Sequence, residues 1–317
     1  MAGKNKKPEK KSKKMVFFLI ILFLIFVFGV MFVNSKKPER LAVSGINKKV
    51  DGSAFIKTNL ALIEQMYVNW MPNDLFWPTV LLDNMPNFQI GELEVVRYNI
   101  RVLRDNLTRM RTTDKLDPLA EEAFTSLSND PFKWWFPSAE GKWKQAHKAL
   151  EKFDAKLSSG ASDFYSRADN LIELLSQYAS LMGGANTRLI NAPGDIDRSL
   201  VVEEDTKKGT GTPRTVDIDI PWYRVDDNFY YAQGVAYGLY ESFKAIKIDF
   251  LDVLKDKNSV TLVDKILENL RRCHFEPLLV CNGDPDSIFA NHSLNLSGVF
   301  NDARQKVNSL IVSLTQG

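Results

Sequence analysis

The sequence contains few of the residue types that metal and catalytic sites most often use. Its 317 residues include only two cysteines and three histidines, and no two histidines have the spacing of a zinc motif. Cys273 and Cys281 together with His274 would still leave a zinc ion one ligand short. We therefore predict no metal and no cofactor, and we assign no catalytic residue from the sequence.

The chain also lacks a basic main body. The formal net charge is +2, but residues 1–40 hold ten lysines or arginines and two glutamates, so the remaining residues carry a net charge of −6. Nucleic-acid phosphates attract basic surfaces, and a net negative body disfavours such binding. We therefore expect no nucleic-acid partner.

Charge is absent altogether from residues 15–33, which read "MVFFLIILFLIFVFGVMFV" and contain no proline. A helix of this length spans about 28 Å at ~1.5 Å per residue, close to the ~30 Å hydrocarbon core of a bilayer. The stretch therefore predicts a transmembrane helix that binds the lipid bilayer. The alternative is a cleaved signal peptide, although the apolar region of such a peptide is usually only about 7–15 residues long.

The lysines around this stretch predict its orientation. Seven lysines precede it, whereas only Lys36, Lys37 and Arg40 follow it closely. The positive-inside rule then makes residues 1–14 a basic cytoplasmic tail and exports the rest across the membrane. No second apolar run of comparable length follows. We expect one pass, a linker at residues 34–50 and an exported helical domain at residues 51–317.

If the main body is exported, its two cysteines lie in a compartment where disulfides can form. Cys273 and Cys281 are separated by seven residues, and in an oxidising compartment they could form a disulfide. Two buried thiols are an equally good interpretation of the same pair.

The main body has apolar residues at alternating spacings of three and four, the pattern of a helix that buries one face. Prolines and glycines cut this pattern into pieces, so a single continuous coiled coil is excluded. The sequence therefore predicts an all-α, multi-helix bundle of long antiparallel helices. Seven apolar stripes carry the prediction, at residues 56–70, 93–110, 143–157, 164–182, 229–253, 260–270 and 299–314.

Boundary signals refine this prediction. Ser138 has the position of an N-cap, and Gly183 with Gly184 suits a C-terminal cap. The clearest departure from helix is residues 199–220, where Val216, Ile218 and Ile220 alternate with polar residues. That alternation predicts a small β-hairpin or a single edge strand.

The stretch "PWYRVDDNFYYAQGVAYGLYESF" at residues 221–243 raises the question of an acidic site. Asp226 and Asp227 stand just before the longest stripe, where we interpret them as helix caps rather than as a general acid–base pair. Gly234 and Gly238 lie about one turn apart and form a small-residue face that lets another backbone approach closely. Whether Trp222 and Tyr230 face an occupied groove is left open.

Two short segments concentrate four of the six tryptophans, at residues 69–78 and 130–138. Aromatic residues near turns can fill a core. They can equally contact a membrane interface or a partner, where an apolar face meets a polar edge.

Several phrases resemble a known bacterial family, Domain of Unknown Function 2333. They are "LLDNMPNFQIGEL", "FYSRADNL", "IPWYRVDDNFYYAQGVAYGL", "KIDFLDVLKDKNS" and "NHSL", in the family's order. The resemblance implies a periplasmic domain tethered to the inner membrane of a Gram-negative cell, with no assigned activity. One departure is "CNGDPDSIF" at residues 281–289, where the family tends to have a glycine-rich turn.

Two functions remain as hypotheses. The first is an envelope protein that binds another protein or scaffolds an assembly, motivated by the single span, the helical stripes and the missing catalytic constellation. The second is an envelope-acting enzyme with an acidic cleft, which would require polar side chains distant in the sequence to converge. The candidate interaction or pocket residues are Asp83, Asn84, Trp222, Asp226, Asp227, Tyr230, Asn291 and His292.

Overall fold

The computed structural model describes residues 10–41, 50–75, 78–111, 113–190, 199–202, 214–217, 225–277, 280 and 291–316. These residues form ten α-helices, a 3₁₀ turn, a π-helical turn and two short strands. The α-helices are α1 (Lys10–Asn34), α2 (Ser53–Val68), α3 (Asn84–Val102), α4 (Pro118–Leu127), α5 (Ala139–Ser158), α6 (Ala168–Ile190), α7 (Val225–Asp249), α8 (Leu251–Asp256), α9 (Val260–Arg272) and α10 (His292–Gln316). The 3₁₀ turn is Pro78–Leu81, and the π-helical turn Leu103–Leu107 follows α3 directly.

The predicted all-α bundle is confirmed, and each of the seven stripes lies largely on a helix. The predicted hairpin is also present: β1 (Ser199–Val202) pairs antiparallel with β2 (Arg214–Asp217). The stripe at residues 229–253 is not one helix, because α7 ends at Asp249 and α8 begins at Leu251. Helix α4 was not foreseen, although Asp117 accepts bonds from the amides of Leu119 and Ala120 as an ordinary N-cap.

The two boundary predictions had opposite outcomes. Ser138 is the N-cap of α5, and its hydroxyl accepts a hydrogen bond from the Gly141 amide. The predicted C-terminal cap at Gly183 and Gly184 is wrong, because α6 continues through both to Ile190. The helix continues because α10 packs along it, and the Arg304 guanidinium occupies the space beside Gly183.

One long apolar helix stands out at the N-terminus. In the part of the chain that the structure describes, a single helix, Lys14–Asn34, is long and apolar enough to cross a membrane. Membrane anchors and signal sequences share this length and composition.

Helix α7 occupies the centre of the bundle and contacts α2, α3, α6, α9 and α10. Its closest neighbour is α3, and the contact between the two helices is made at a glycine of each. A Cβ atom at Gly234 would overlap the Phe88 carbonyl oxygen, and one at Gly91 would overlap the Tyr231 carbonyl oxygen. The small-residue face predicted on α7 is therefore a site of close backbone approach.

A buried polar network joins four of the helices. The Asn99 side-chain amide of α3 donates to Asn59 Oδ1 of α2 and to Ser242 Oγ of α7, both at 2.9 Å. The Tyr178 hydroxyl of α6 donates to Asn99 Oδ1 at 2.6 Å. Asn59, Asn99 and Ser242 have no exposed surface, so these bonds replace water that the groups lost on folding.

Candidate functional site

The N-termini of α3 and α7 meet, and they bring together three predicted site residues. One carboxylate oxygen from each of Asp83, Asp226 and Asp227 lies within 4.8 Å of the other two. The close packing of α3 on α7 at Gly91 and Gly234 places these helix ends side by side. Residues about 140 positions apart in the sequence therefore form one acidic cluster.

The role predicted for the two adjacent aspartates needs correction. Helix α7 already begins at Val225, so Asp226 and Asp227 lie inside its first turn and are not its N-cap. Asp226 Oδ1 accepts from the Asp227 amide at 3.2 Å, so it still satisfies one amide of the first turn. Both carboxylates remain where the helix dipole favours negative charge.

The cluster is tied together by one amide side chain. Asn87 Nδ2 donates to Asp227 Oδ1 at 2.7 Å and to the Asp83 carbonyl oxygen at 3.0 Å. Burial and the nearby Asp83 charge raise the pKa of Asp226 above its ordinary value. Beside the cluster, Asn84 Oδ1 is buried without a hydrogen-bond partner among the described atoms.

The chemistry open to this cluster is limited. Carboxylate oxygens suit hard cations, and the one oxygen that converges from each carboxylate would supply three of the roughly six to eight ligands that Ca²⁺ takes. Among the described residues, the potential metal-ligand atoms that lie within 4.8 Å of one another here all belong to carboxylates, and His292 is the first residue of α10. The convergence predicted for an acidic cleft therefore holds for Asp83, Asp226 and Asp227.

The other predicted residues lie elsewhere or carry structural roles. Asn291 precedes α10, and its Oδ1 accepts from the Leu294 amide at 2.9 Å, which is capping geometry. Tyr230 is half-buried, with the ammonium of Lys37 5.3 Å from its ring centre. Trp222 lies outside the described residues.

Cys273 is fully buried at the end of α9, and burial raises the pKa of its thiol to about 12. Its Sγ lies 3.3 Å from the Asn269 carbonyl oxygen. Cys273 is a free, buried thiol, so the structure does not contain the predicted disulfide, and Cys281 lies outside the described residues.

The most extensive feature that the sequence did not indicate is a docked segment, residues 35–41, between α1 and the bundle. It lies along α7, where Lys244 Nζ donates to the Leu41 carbonyl oxygen at 2.6 Å and Glu241 Oε1 accepts from the Leu41 amide at 3.3 Å. The Tyr237 hydroxyl donates to the Glu39 carbonyl oxygen at 2.9 Å. These contacts hold backbone groups of the segment to one face of a central helix.

Two basic side chains of the docked segment reach α9 and the residues after it. The Lys37 side chain is only 4% exposed, its Nζ donates to the Phe275 carbonyl oxygen, and burial lowers its pKa to about 8. The Arg40 guanidinium stacks 4.2 Å from the centre of the Tyr240 ring. The sequence contains one signal for this docking, a polar and aromatic row at helical spacing on α7, and such a row usually indicates a solvated face. The residues are Tyr237, Tyr240, Glu241 and Lys244.

A cavity of about 530 Å³ lies between the docked segment and the helices α2 and α3. Glu92 lines it, is only 2% exposed, and its Oε1 has no hydrogen-bond partner. Burial, with a smaller contribution from the charge of Glu241, raises the pKa of Glu92 to about 8. A buried carboxyl of this kind is neutral at pH 7 and can donate a hydrogen bond into the cavity. The lining residues are Lys36, Pro38, Leu41, Ala61, Glu64, Gln65, Val68, Asn69, Met85, Gln89 and Glu92.

Comparison with known proteins gives one family and nothing else. A family model described as "Uncharacterized protein conserved in bacteria (DUF2333)" matches residues 8–317, nearly the whole chain. No curated protein and no solved structure matches the chain.

Proposed function

The chain belongs to the bacterial family DUF2333, whose description assigns no activity. From this premise we propose that it is a single-pass inner-membrane protein with a protein-binding or scaffolding role in the cell envelope. In this proposal α1 is an uncleaved anchor, the N-terminus is cytoplasmic and the bundle is periplasmic. The lysines that precede α1 support this orientation.

The observation that carries the proposal is the docked segment. A flexible tether would leave a periplasmic domain free to rotate about its anchor. Here Lys244, Glu241 and Tyr237 hold the backbone of residues 39–41, and Lys37 is buried against the region after α9. An anchor continuous with the bundle presents the surface of the domain at a fixed height and orientation, which suits a protein that positions a partner.

The membrane part of the proposal is tested by topology and processing. A reporter active only in the periplasm, fused after Gly317, should be active, and one active only in the cytoplasm should be silent. The mass of the protein recovered from membranes should include residues 15–33. Loss of that segment would identify α1 as a signal sequence and overturn the anchor.

The partner-binding part needs a separate experiment in cells. A photo-reactive residue at the exposed positions Met110 or Val312 should give the same adduct in repeated preparations. Lys244→Met should weaken that adduct, because it releases the docked segment and the fixed orientation with it. If no exposed position gives an adduct in a protein of confirmed topology, the partner-binding role is wrong.

The alternative is an envelope-acting enzyme that uses an acidic cleft, and the cluster of Asp83, Asp226 and Asp227 favours it. The test incubates the purified full-length protein with peptidoglycan and with phospholipid and follows products by mass spectrometry. Product formation should disappear in Asp226→Asn and persist in Asp256→Asn, a control on the surface of α8. A wild-type protein that forms no product would argue against the enzyme.

A further inference from the structure

The bundle carries a group of exposed aromatic side chains that neither the core nor the acidic cluster uses. They belong to the aromatic loop, residues 130–138, between α4 and α5. Trp134 is 51% exposed, Trp135 is 69% exposed and Phe136 is 88% exposed, and Phe132 is exposed as well. So many adjacent aromatic residues in water are unusual on a monomer and mark an interaction surface.

The loop holds its shape without burying these rings. Asp130 Oδ1 accepts from the Phe132 amide at 3.0 Å, and the Ala139 amide donates to the Lys133 carbonyl oxygen at 2.9 Å. Trp134 and Trp135 contact each other edge to face. Since backbone hydrogen bonds organise the loop, its rings are available for a partner and are not needed for folding.

A short chain of contacts places this loop beside the anchor helix. Asn73 Nδ2 donates to the Lys133 carbonyl oxygen, and Trp70 Nε1 donates to the Pro131 carbonyl oxygen at 2.9 Å. Asp74, the residue after Asn73, accepts a hydrogen bond from the hydroxyl of Thr79 in the 3₁₀ turn. That turn contacts α1 directly.

The contact with α1 also indicates how deep the 3₁₀ turn would lie in the bilayer. The half-buried residues at the end of α1 are Val27, Val30, Met31 and Asn34, which share one helix face over about two turns. If residues 14–34 fill the bilayer core, these turns lie in its outer part, within about 10 Å of the surface. Val80 and Leu81 of the 3₁₀ turn are exposed at this level.

We propose that the aromatic loop and the 3₁₀ turn together insert into the interfacial region of the same bilayer that α1 crosses. Tryptophan suits this region because its ring is apolar while its N–H meets water and headgroups. Lys133, exposed among the rings, matches anionic headgroups. Val68 and Leu75, which are near Trp70 and Asp74 in the sequence, are exposed apolar residues as well.

The inference rests on the proposed membrane anchor, and it goes beyond that proposal by giving the domain a second membrane contact. With α1 at one point and the aromatic loop at another, the bundle cannot rotate about its anchor. The bilayer is the occupant that the contacts with α1 favour, and a protein covering the loop is an outcome of the test below.

Tryptophan fluorescence of the full-length chain in vesicles provides the test, because α1 contains no tryptophan. The vesicles contain phosphatidylethanolamine and phosphatidylglycerol, with or without bromine on the acyl chains, and iodide is supplied on both sides. The variant Trp134→Phe/Trp135→Phe keeps an aromatic loop but removes its fluorophores. The difference between wild type and variant therefore reports on these two rings alone.

We expect brominated lipids to quench this difference signal strongly, while iodide leaves it nearly unchanged. Quenching by iodide and not by lipid would mean that the loop faces water, and the inference would be wrong. Protection from both quenchers would mean that protein, such as a second copy of the chain, covers the loop, which also overturns it. Flotation of the same vesicles at alkaline pH tests the anchor separately, so a floating protein with an iodide-quenched loop rejects only this inference.

Discussion

At the scale of single residues, the bundle contains buried polar groups of two kinds. Asn99 is fully satisfied by Asn59, Tyr178 and Ser242, whereas Glu92 has one oxygen without a partner. A satisfied network stabilises one arrangement of helices, and an unsatisfied carboxyl costs stability unless it stays protonated. The two residues on α3 should therefore respond to mutation in opposite directions.

Replacing Glu92 by glutamine should stabilise the protein as the pH rises. The pKa of Glu92 is about 8 in the fold against an ordinary 4.5, so the folded state retains a proton that the unfolded chain releases between these values. The contribution of this group to stability is complete below pH 4.5 and is lost by up to about 1.4 kcal/mol per pH unit toward pH 8. Denaturant unfolding from pH 5 to 9 should show that the unfolding free energy of Glu92→Gln rises relative to that of the wild type as the pH increases. An equal gain in Glu94→Gln, a half-exposed neighbour on α3, would contradict the assignment.

Replacing Asn99 by alanine should destabilise the protein. It leaves the Tyr178 hydroxyl and the Asn59 and Ser242 side chains without their buried partner, which should cost about 2–4 kcal/mol of unfolding free energy. Tyr178→Phe removes only one donor and should cost less. The losses should not add in the double variant, because the two side chains share a hydrogen bond. Additive losses in a double-mutant cycle would show that the network is not coupled.

At the scale of helices, glycine has different roles that depend on the neighbouring helix. Gly234 and Gly91 lie where the backbones of α7 and α3 touch, whereas no atom lies within 4 Å of a Cβ position at Gly184 on α6. The sequence indicated a close approach at Gly234 because small residues share one face there. At Gly183 and Gly184 the sequence instead predicts a C-terminal cap, and that prediction is wrong because local sequence does not reveal that α10 packs along the continuing helix.

This contrast predicts a matched pair of substitutions. Gly234→Ala should lower the unfolding free energy by more than about 2 kcal/mol, because the new methyl group collides with the Phe88 backbone and separates α3 from α7. Gly184→Ala should raise it by about 0.5–1 kcal/mol, since alanine favours helix and has room. Thermal and denaturant unfolding measure both. Equal effects of the two substitutions would contradict the close crossing.

At the scale of the whole molecule, the docked segment connects α1 to the bundle through contacts with α7. Residues 35–41 are polar and follow an apolar helix, so by composition they predict a tether. In the fold, residues of α7 satisfy the backbone of the segment, and Arg40 stacks on Tyr240 of α7. Lys37 donates to the Phe275 carbonyl oxygen after α9. The aromatic loop adds the second membrane contact that we propose.

Loosening the docked segment should expose it to protease. Lys244→Met removes a donor to the Leu41 carbonyl oxygen and the ion pair with the fully buried Glu241 side chain. Trypsin should then cleave after Lys36 or Arg40 about tenfold faster, because a charged hydrogen bond no longer opposes local opening. Lys255→Met, an exposed lysine on α8, is the control and should leave the rate unchanged. Equal rates in both variants would mean that Lys244 does not hold the segment.

The sequence by itself determined the helical class, the positions of the long helices and the apolar N-terminal helix. These features depend on periodicity and local propensity, which neighbouring residues encode. Only the tertiary structure decided which residues meet: the aspartates of two helix ends, the four-helix network around Asn99, the docked segment and the burial of Glu92. Polar residues at helical spacing look the same whether they face solvent or another segment, so their role follows from packing between distant parts of the chain.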